Sequence, residues 1–156
     1  MPIKPPSTIS LQGVTLEVLQ IPAANASPLP TLVFLHEGLG SVAMWRDWPT
    51  RLCQRLGCAG LVYSRRGYGQ SDAVPGVRGP SGESAGHRVG RLLPDYMHHE
   101  ALVVLPALLK TLGIARPVLL GHSDGGTIAL IHASHHPVTA CVVMAPHVMV
   151  EDISVA

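Results

Sequence analysis

Charged side chains are scarce in this chain of 156 residues: Asp, Glu, Lys and Arg make up 13% and sum to +1 with histidine neutral. That balance offers no bulk attraction to nucleic acid or to an anionic membrane. Long apolar runs are also missing. The longest, such as Cys141 to Pro146, fall far short of the roughly 20 residues a membrane helix needs. The first residues, Met-Pro-Ile-Lys-Pro-Pro, lack the apolar stretch of a secretory signal. The three cysteines, Cys53, Cys58 and Cys141, are odd in number and show no metal-ligand spacing, so they read as buried thiols of a reducing compartment. A cytoplasmic globular protein is the expectation. With a single phenylalanine and few charges, no pocket chemistry announces a substrate.

What the chain does have is apolar residues, 47% of the total, arranged in alternating short and long patterns. Thr8 to Gln12 and Val14 to Ile21, split at Gly13, predict a β-hairpin. Thr31–Leu35, Leu61–Ser64, Pro117–Leu120 and Ala140–Met144 are continuous apolar runs, the look of strands buried on both faces. Between them, Trp45–Leu56 has helical spacing and ends at Gly57, a C-cap residue. Tyr96–Gly113 is helical too, with Pro106 expected to kink it or divide it into two shorter segments. Gly125–His136 is the last predicted helix. Residues 73–94, rich in glycine and without periodicity, predict a flexible surface loop. Strands alternating with helices predict one α/β domain over 1–156, a three-layer αβα sandwich on a mostly parallel sheet.

The chemistry concentrates at Pro117-Val-Leu-Leu-Gly-His-Ser-Asp-Gly-Gly-Thr-Ile-Ala-Leu. A buried strand runs into Gly-x-Ser-x-Gly and a helix starts at once. So tight a turn needs Gly121 and Gly125 beside the serine, and it lifts the Ser123 hydroxyl above the sheet. The helix N-terminus adds positive potential there, and the backbone N–H of Asp124 is the expected first oxyanion donor.

On these residues the chain resembles the α/β-hydrolase superfamily, over the N-terminal two-thirds of that fold. His36-Glu37-Gly38-Leu39-Gly40-Ser41 follows a strand where the family has His-Gly-x-Gly, with Glu37 in place of a small residue. Ser64-Arg65-Arg66-Gly67-Tyr68-Gly69-Gln70-Ser71-Asp72 is similar to the family's D-x-R-G-x-G-x-S loop. The resemblance implies that Ser123 is a nucleophile and that Gly38 supplies the second oxyanion N–H. It also implies hydrolysis of an ester, lactone or related small molecule without a cofactor. His36 and His122 stand where the family often has histidine and read as scaffold.

The family's acid and base follow Ser123 in the order Asp or Glu, then His. Its usual acid follows the strand after next, and its histidine the last strand. The sequence reads as a C-terminally truncated domain lacking those strands. His147 lies just past a strand end on the active-site side, and Glu151 and Asp152 sit where some members place an alternative acid. Strand 140–145, read as buried but uncovered downstream, can pair with another copy. His132 and His136 have i, i+4 spacing, but no His-Glu-x-x-His pattern supports a metal site. Two other classes compete. One is a catalytically silent binding or assembly module. The other is an NADP-binding oxidoreductase, since Gly38-Leu-Gly40-Ser-Val-Ala43 matches G-x-G-x-x-A, and Arg65 and Arg66 end the next strand, where a 2′-phosphate could be held.

Overall fold

The computed structural model describes residues 5–24, 27–74 and 94–149. Alternating apolar residues form β1 (Ser7–Leu11) and β2 (Val14–Ile21). Gln12 and Gly13 connect them at φ of 51° and 80°. Two left-handed residues give the turn whose twist suits an antiparallel pair, and glycine tolerates the second position without strain. The four apolar runs form β3 (Leu32–Leu35), β4 (Gly60–Tyr63), β5 (Val118–His122) and β6 (Ala140–Met144). Together they make one six-stranded sheet in the order β1-β2-β4-β3-β5-β6. β1, β2 and β4 pair antiparallel, while β4, β3, β5 and β6 pair parallel.

The period-two rule divides the core cleanly. Leu32, Phe34, Val62 and Leu120 cluster on one face with Cys53 and Cys58. Val33, Leu35, Leu61, Tyr63 and Leu119 cluster on the other with Leu105, Leu108, Ile128 and Ala129. Helix α1 (Trp48–Leu56) covers the first face, and α3 (Leu105–Thr111) and α4 (Asp124–His135) the second. Burial on both faces explains why these strands lack polar alternation. The expected αβα sandwich is the fold observed.

Three expectations need adjustment. The helix predicted from Trp45 starts at Trp48, because Arg46 at φ 53° separates it from a 3₁₀ turn over Ala43–Trp45. The helix around Pro106 divides into α2 (Tyr96–His99), a π turn at Glu100–Val104, and α3. Proline has no N–H to donate and its ring crowds the carbonyl four residues back, so a widened turn precedes it. The largest correction is at β6. Expected to be buried on both faces, it is half-buried on one and exposed on the other, with Val142 48% and Met144 38% exposed. Among the described residues it pairs only with β5. Cys141 and Val143 pack on the core that contains α4, and no helix among the described residues covers the opposite face. Cys141 is accordingly half-buried, whereas Cys53 and Cys58 are buried as expected. Most of the predicted 73–94 loop, residues 75–93, lies outside the described residues. Among the described residues no helix is long and apolar enough to cross a membrane.

The contrast between β5 and β6 is measurable. Leu119→Ala is expected to cost about 2–5 kcal/mol of stability, and Val142→Thr less than about 0.5 kcal/mol. Urea unfolding followed by circular dichroism checks both.

Candidate active site

One residue, Ser123, separates β5 from α4, and it sits at φ 52°, ψ −117°. A non-glycine residue held in so sparsely populated a region costs on the order of 1–3 kcal/mol and persists only where the surroundings impose it. Those surroundings are close packing and hydrogen bonds. A side chain at Gly121 would collide with the Gly125 backbone, and one at Gly125 with the Leu35 carbonyl. The Ser123 N–H donates to the Met144 carbonyl at 2.8 Å, and the Ser123 carbonyl accepts from Gly126 and Thr127. The elbow is thus clamped between β3, β5, β6 and the first turn of α4, with the serine side chain half-exposed at the sheet's C-terminal edge.

Loop 36–41, leaving β3, lies beside it. Glu37, which stands where the family has a small residue, turns back on its own loop: its Oε2 accepts the Leu39 N–H at 2.6 Å. It points no charge at the serine. Among the described residues the N–H groups of Gly38 and Asp124 make no hydrogen bond, which is the condition for a pair of oxyanion donors. His36 is buried. Its Nδ1–H donates to the Glu37 carbonyl at 2.7 Å and its Nε2 accepts the Arg65 N–H at 3.0 Å. Burial first, and the nearby Arg65 charge second, push its pKa from an ordinary 6.5 down to about 3. This neutral, single-tautomer imidazole cannot shuttle protons near pH 7, as its scaffold reading implied.

The carboxylate that does approach the site is the side chain of Asp124, a feature the sequence reading missed. It is buried, and a Cβ on Gly38 would stand 3.1 Å from its Oδ2. The Tyr96 hydroxyl donates to Oδ2, and Arg65 Nη2 lies 3.7 Å from the same oxygen. Desolvation and the Asp124 carboxylate push the Tyr96 pKa well up, keeping the phenol a donor. A cleft of about 410 Å³ lies behind this network, lined by Arg65, Tyr68 and Tyr96 and by Leu11, Val14 and Leu16. It touches the supports of Asp124 and not Ser123.

His147 reaches the serine from the far side. Its Nε2 is 2.8 Å from Ser123 Oγ and 3.3 Å from Asp124 Oδ1. Ala145 at φ 46° turns the chain sharply after β6. Thr127 then holds the His147 backbone at both ends, accepting its N–H at 2.8 Å and donating to its carbonyl at 3.1 Å. The structure therefore gathers Ser123, Asp124, Gly38 and His147. It leaves His122 exposed and away from these contacts. Glu151 and Asp152 lie outside the described residues.

The dinucleotide pattern does not survive the geometry. Carboxylate oxygens of Asp124 crowd Gly38, and the His36 side chain crowds Gly40. The next α-helix in the chain begins only at Trp48, so the glycines do not lead directly into the helix that the dinucleotide pattern requires. Arg65 is buried against backbone carbonyls, and Arg66 Nε donates to the Ala73 carbonyl.

Comparison with known proteins agrees with this architecture. The family model described as alpha/beta hydrolase fold matches residues 30–155. Epoxide hydrolase 3 of Xenopus tropicalis is 34% identical over 122 residues, covering 76% of this chain and 28% of that protein. Two of the solved structures that share the fold illustrate the likeness. One, titled a predicted CIB-like hydrolase from Thermoplasma acidophilum, has a TM-score of 0.70 at 19% identity, covering 94% of this chain and 64% of the other. The other is epoxide hydrolase VrEH1 from Vigna radiata, with a TM-score of 0.64 at 21% identity, covering 89% and 39%. The chain spans little more than a quarter of the Xenopus protein's length.

The neutral His36 makes a signed prediction. Between pH 6.5 and about 3 the unfolded chain protonates this histidine and the folded chain does not. Stability is therefore lost as pH falls through that window, by about 1.4 kcal/mol per pH unit from this group. His132, also depressed by burial, acts in the same sense, and buried Glu100, raised by burial, in the opposite one. The urea midpoint of the native chain is expected to fall more steeply below pH 6.5 than that of His36→Gln.

Proposed function

The chain belongs to the alpha/beta hydrolase fold family, and from that premise we propose that it is a serine hydrolase of small esters or lactones, with Ser123 as nucleophile. The observation that carries this reading is the Ser123 hydroxyl, held out on a strained bend and 2.8 Å from an imidazole nitrogen. In this mechanism the Ser123 hydroxyl attacks the acyl carbon while its proton passes to His147 Nε2. The carbonyl oxygen takes the displaced electron pair and is met by the N–H groups of Gly38 and Asp124. The intermediate collapses, the alcohol leaves with the proton from His147, and an acyl-serine ester remains. Water, deprotonated by the same imidazole, cleaves that ester to the acid and restores the serine.

Two similar proteins, from Xenopus tropicalis and Vigna radiata, are epoxide hydrolases by name, and elementary chemistry separates the two electrophiles. Serine attack on an epoxide would leave an ether, which water does not cleave, whereas serine attack on an acyl group leaves a cleavable ester. A serine in the elbow therefore favours acyl substrates. The alternative of a silent binding module with the same fold makes the opposite experimental statement.

A fluorophosphonate probe is expected to label the native chain at Ser123, and Ser123→Ala to take none. His147→Ala should slow labelling by about 10²-fold or more, the usual worth of a positioned general base. Peptide mapping and the time course of labelling check these. A native chain that takes no label, or label surviving in Ser123→Ala, refutes the proposal.

A further inference from the structure

We infer that Arg65 is a positioning residue that presets the oxyanion hole, working with His36 to lock the Glu37–Gly38 peptide. The inference rests on the serine-hydrolase reading and deepens it. Its grounds are the hydrogen bonds of one guanidinium. Arg65 is buried, 4% exposed. Its Nη1 donates to the His36 carbonyl at 2.6 Å and its Nη2 to the Glu37 carbonyl at 3.1 Å. One planar fork thus holds two successive carbonyls of the loop, a task a lysine ammonium cannot reproduce.

The consequence for Gly38 follows from the peptide unit itself. The C=O of Glu37 and the N–H of Gly38 belong to one planar, trans peptide and point in opposite directions. The Glu37 carbonyl is fixed by Arg65 Nη2, by His36 Nδ1–H at 2.7 Å and by the Gly40 N–H at 3.1 Å. With that oxygen held by these three donors, the Gly38 N–H has one orientation left, away from all of them. A flip of this peptide would break the carbonyl's three contacts and turn an oxygen where a donor is required. His36 contributes because its tautomer is set from both sides: the Arg65 N–H makes Nε2 an acceptor, which makes Nδ1 the donor.

The same arginine ties this loop to the other donor. Its Nη2 lies 3.7 Å from Asp124 Oδ2, and Asp124 carries that other N–H. The guanidinium also lies over the Tyr68 ring, 5.1 Å from its centre, and that ring meets His36 edge-on at 5.1 Å. Arg65 therefore sets the distance between two donors that come from different elements, one after β3 and one at the start of α4. Its positive charge also offsets the Asp124 carboxylate beside the place where an oxyanion forms.

The test follows Ser123 with a fluorophosphonate in the native chain, Arg65→Lys and Tyr68→Leu, with two readouts. The first is the labelling rate. The second is the change in the Gly38 amide NMR signal when the phosphonyl oxygen enters the site, which general loosening of the fold would not abolish. Arg65→Lys is expected to label about 10²-fold more slowly, the worth of one oxyanion donor, and to lose the Gly38 change. Tyr68→Leu removes no donor or acceptor of the clamp but takes away the ring against which the guanidinium lies, so the fork is free to leave the two carbonyls. It is expected to label severalfold more slowly with a reduced Gly38 change, and it decides the matter if Arg65→Lys does not fold. Native-like labelling of the deciding variant, or slower labelling with the full Gly38 change, overturns the role of Arg65 and leaves the serine reading standing. A native chain without label overturns both.

Discussion

The geometry around Ser123 depends on how closely α4 packs against the ends of β3 and β5. Gly125 lies against the Leu35 carbonyl and Gly121 against Gly125, with no room for a side chain at either place. This contact brings the helix N-terminus onto the sheet edge and leaves one residue to make the connection. Ser123 takes the strained conformation because nothing else spans the gap, and the packed core on that face supplies the energy that holds it there. The same contact puts the Asp124 N–H next to the loop leaving β3. Gly38 and Asp124, from distant parts of the sequence, thus lie close together.

The electrostatics there are set by one buried cation. Asp124 brings a carboxylate close to a place where negative charge develops in the proposed reaction, which taken alone would oppose catalysis. Arg65 and the Tyr96 hydroxyl engage one of its oxygens, and the other faces His147. Among the described residues Arg65 Nε is buried without a partner. Such a group costs about 1–3 kcal/mol. Retaining it is consistent with the value of the two forked contacts its Nη atoms make.

How far the sequence disclosed all this depends on whether a feature is local. Strand runs, the hairpin at Gly13, the Gly57 cap and the serine between two glycines each reside in a few consecutive residues, and they appear where the patterns place them. The Pro106 division was legible for the same reason. β6 misled because an apolar run reports a preference for burial and does not report which neighbours cover it. Asp124 was read for its backbone and missed for its side chain. Its partners Tyr96 and Arg65 lie 28 and 59 positions upstream, and no spacing rule links them. Arg65 itself was visible in the loop pattern, but an arginine in a sequence is solvated by default. Only the two carbonyls beneath it show that it is not.

The two halves of the site are built differently, and the difference bears on what each can contribute. The donor half joins loop 36–41, half-buried at Gly38 and exposed at Leu39, to the buried Arg65 and Asp124, and it is hydrogen-bonded in several directions. Groups fixed in this way need no reorganisation as charge develops, and preorganised electrostatics of this kind is commonly the largest single term in catalysis. The base half is an exposed histidine on a turn after the edge strand, with Thr127 holding its backbone and no partner on Nδ1 among the described residues. A side chain so placed can change its angle at little cost. In the proposed reaction, stabilisation of the transition state would therefore fall mainly to the fixed half, and proton transfer to the exposed His147.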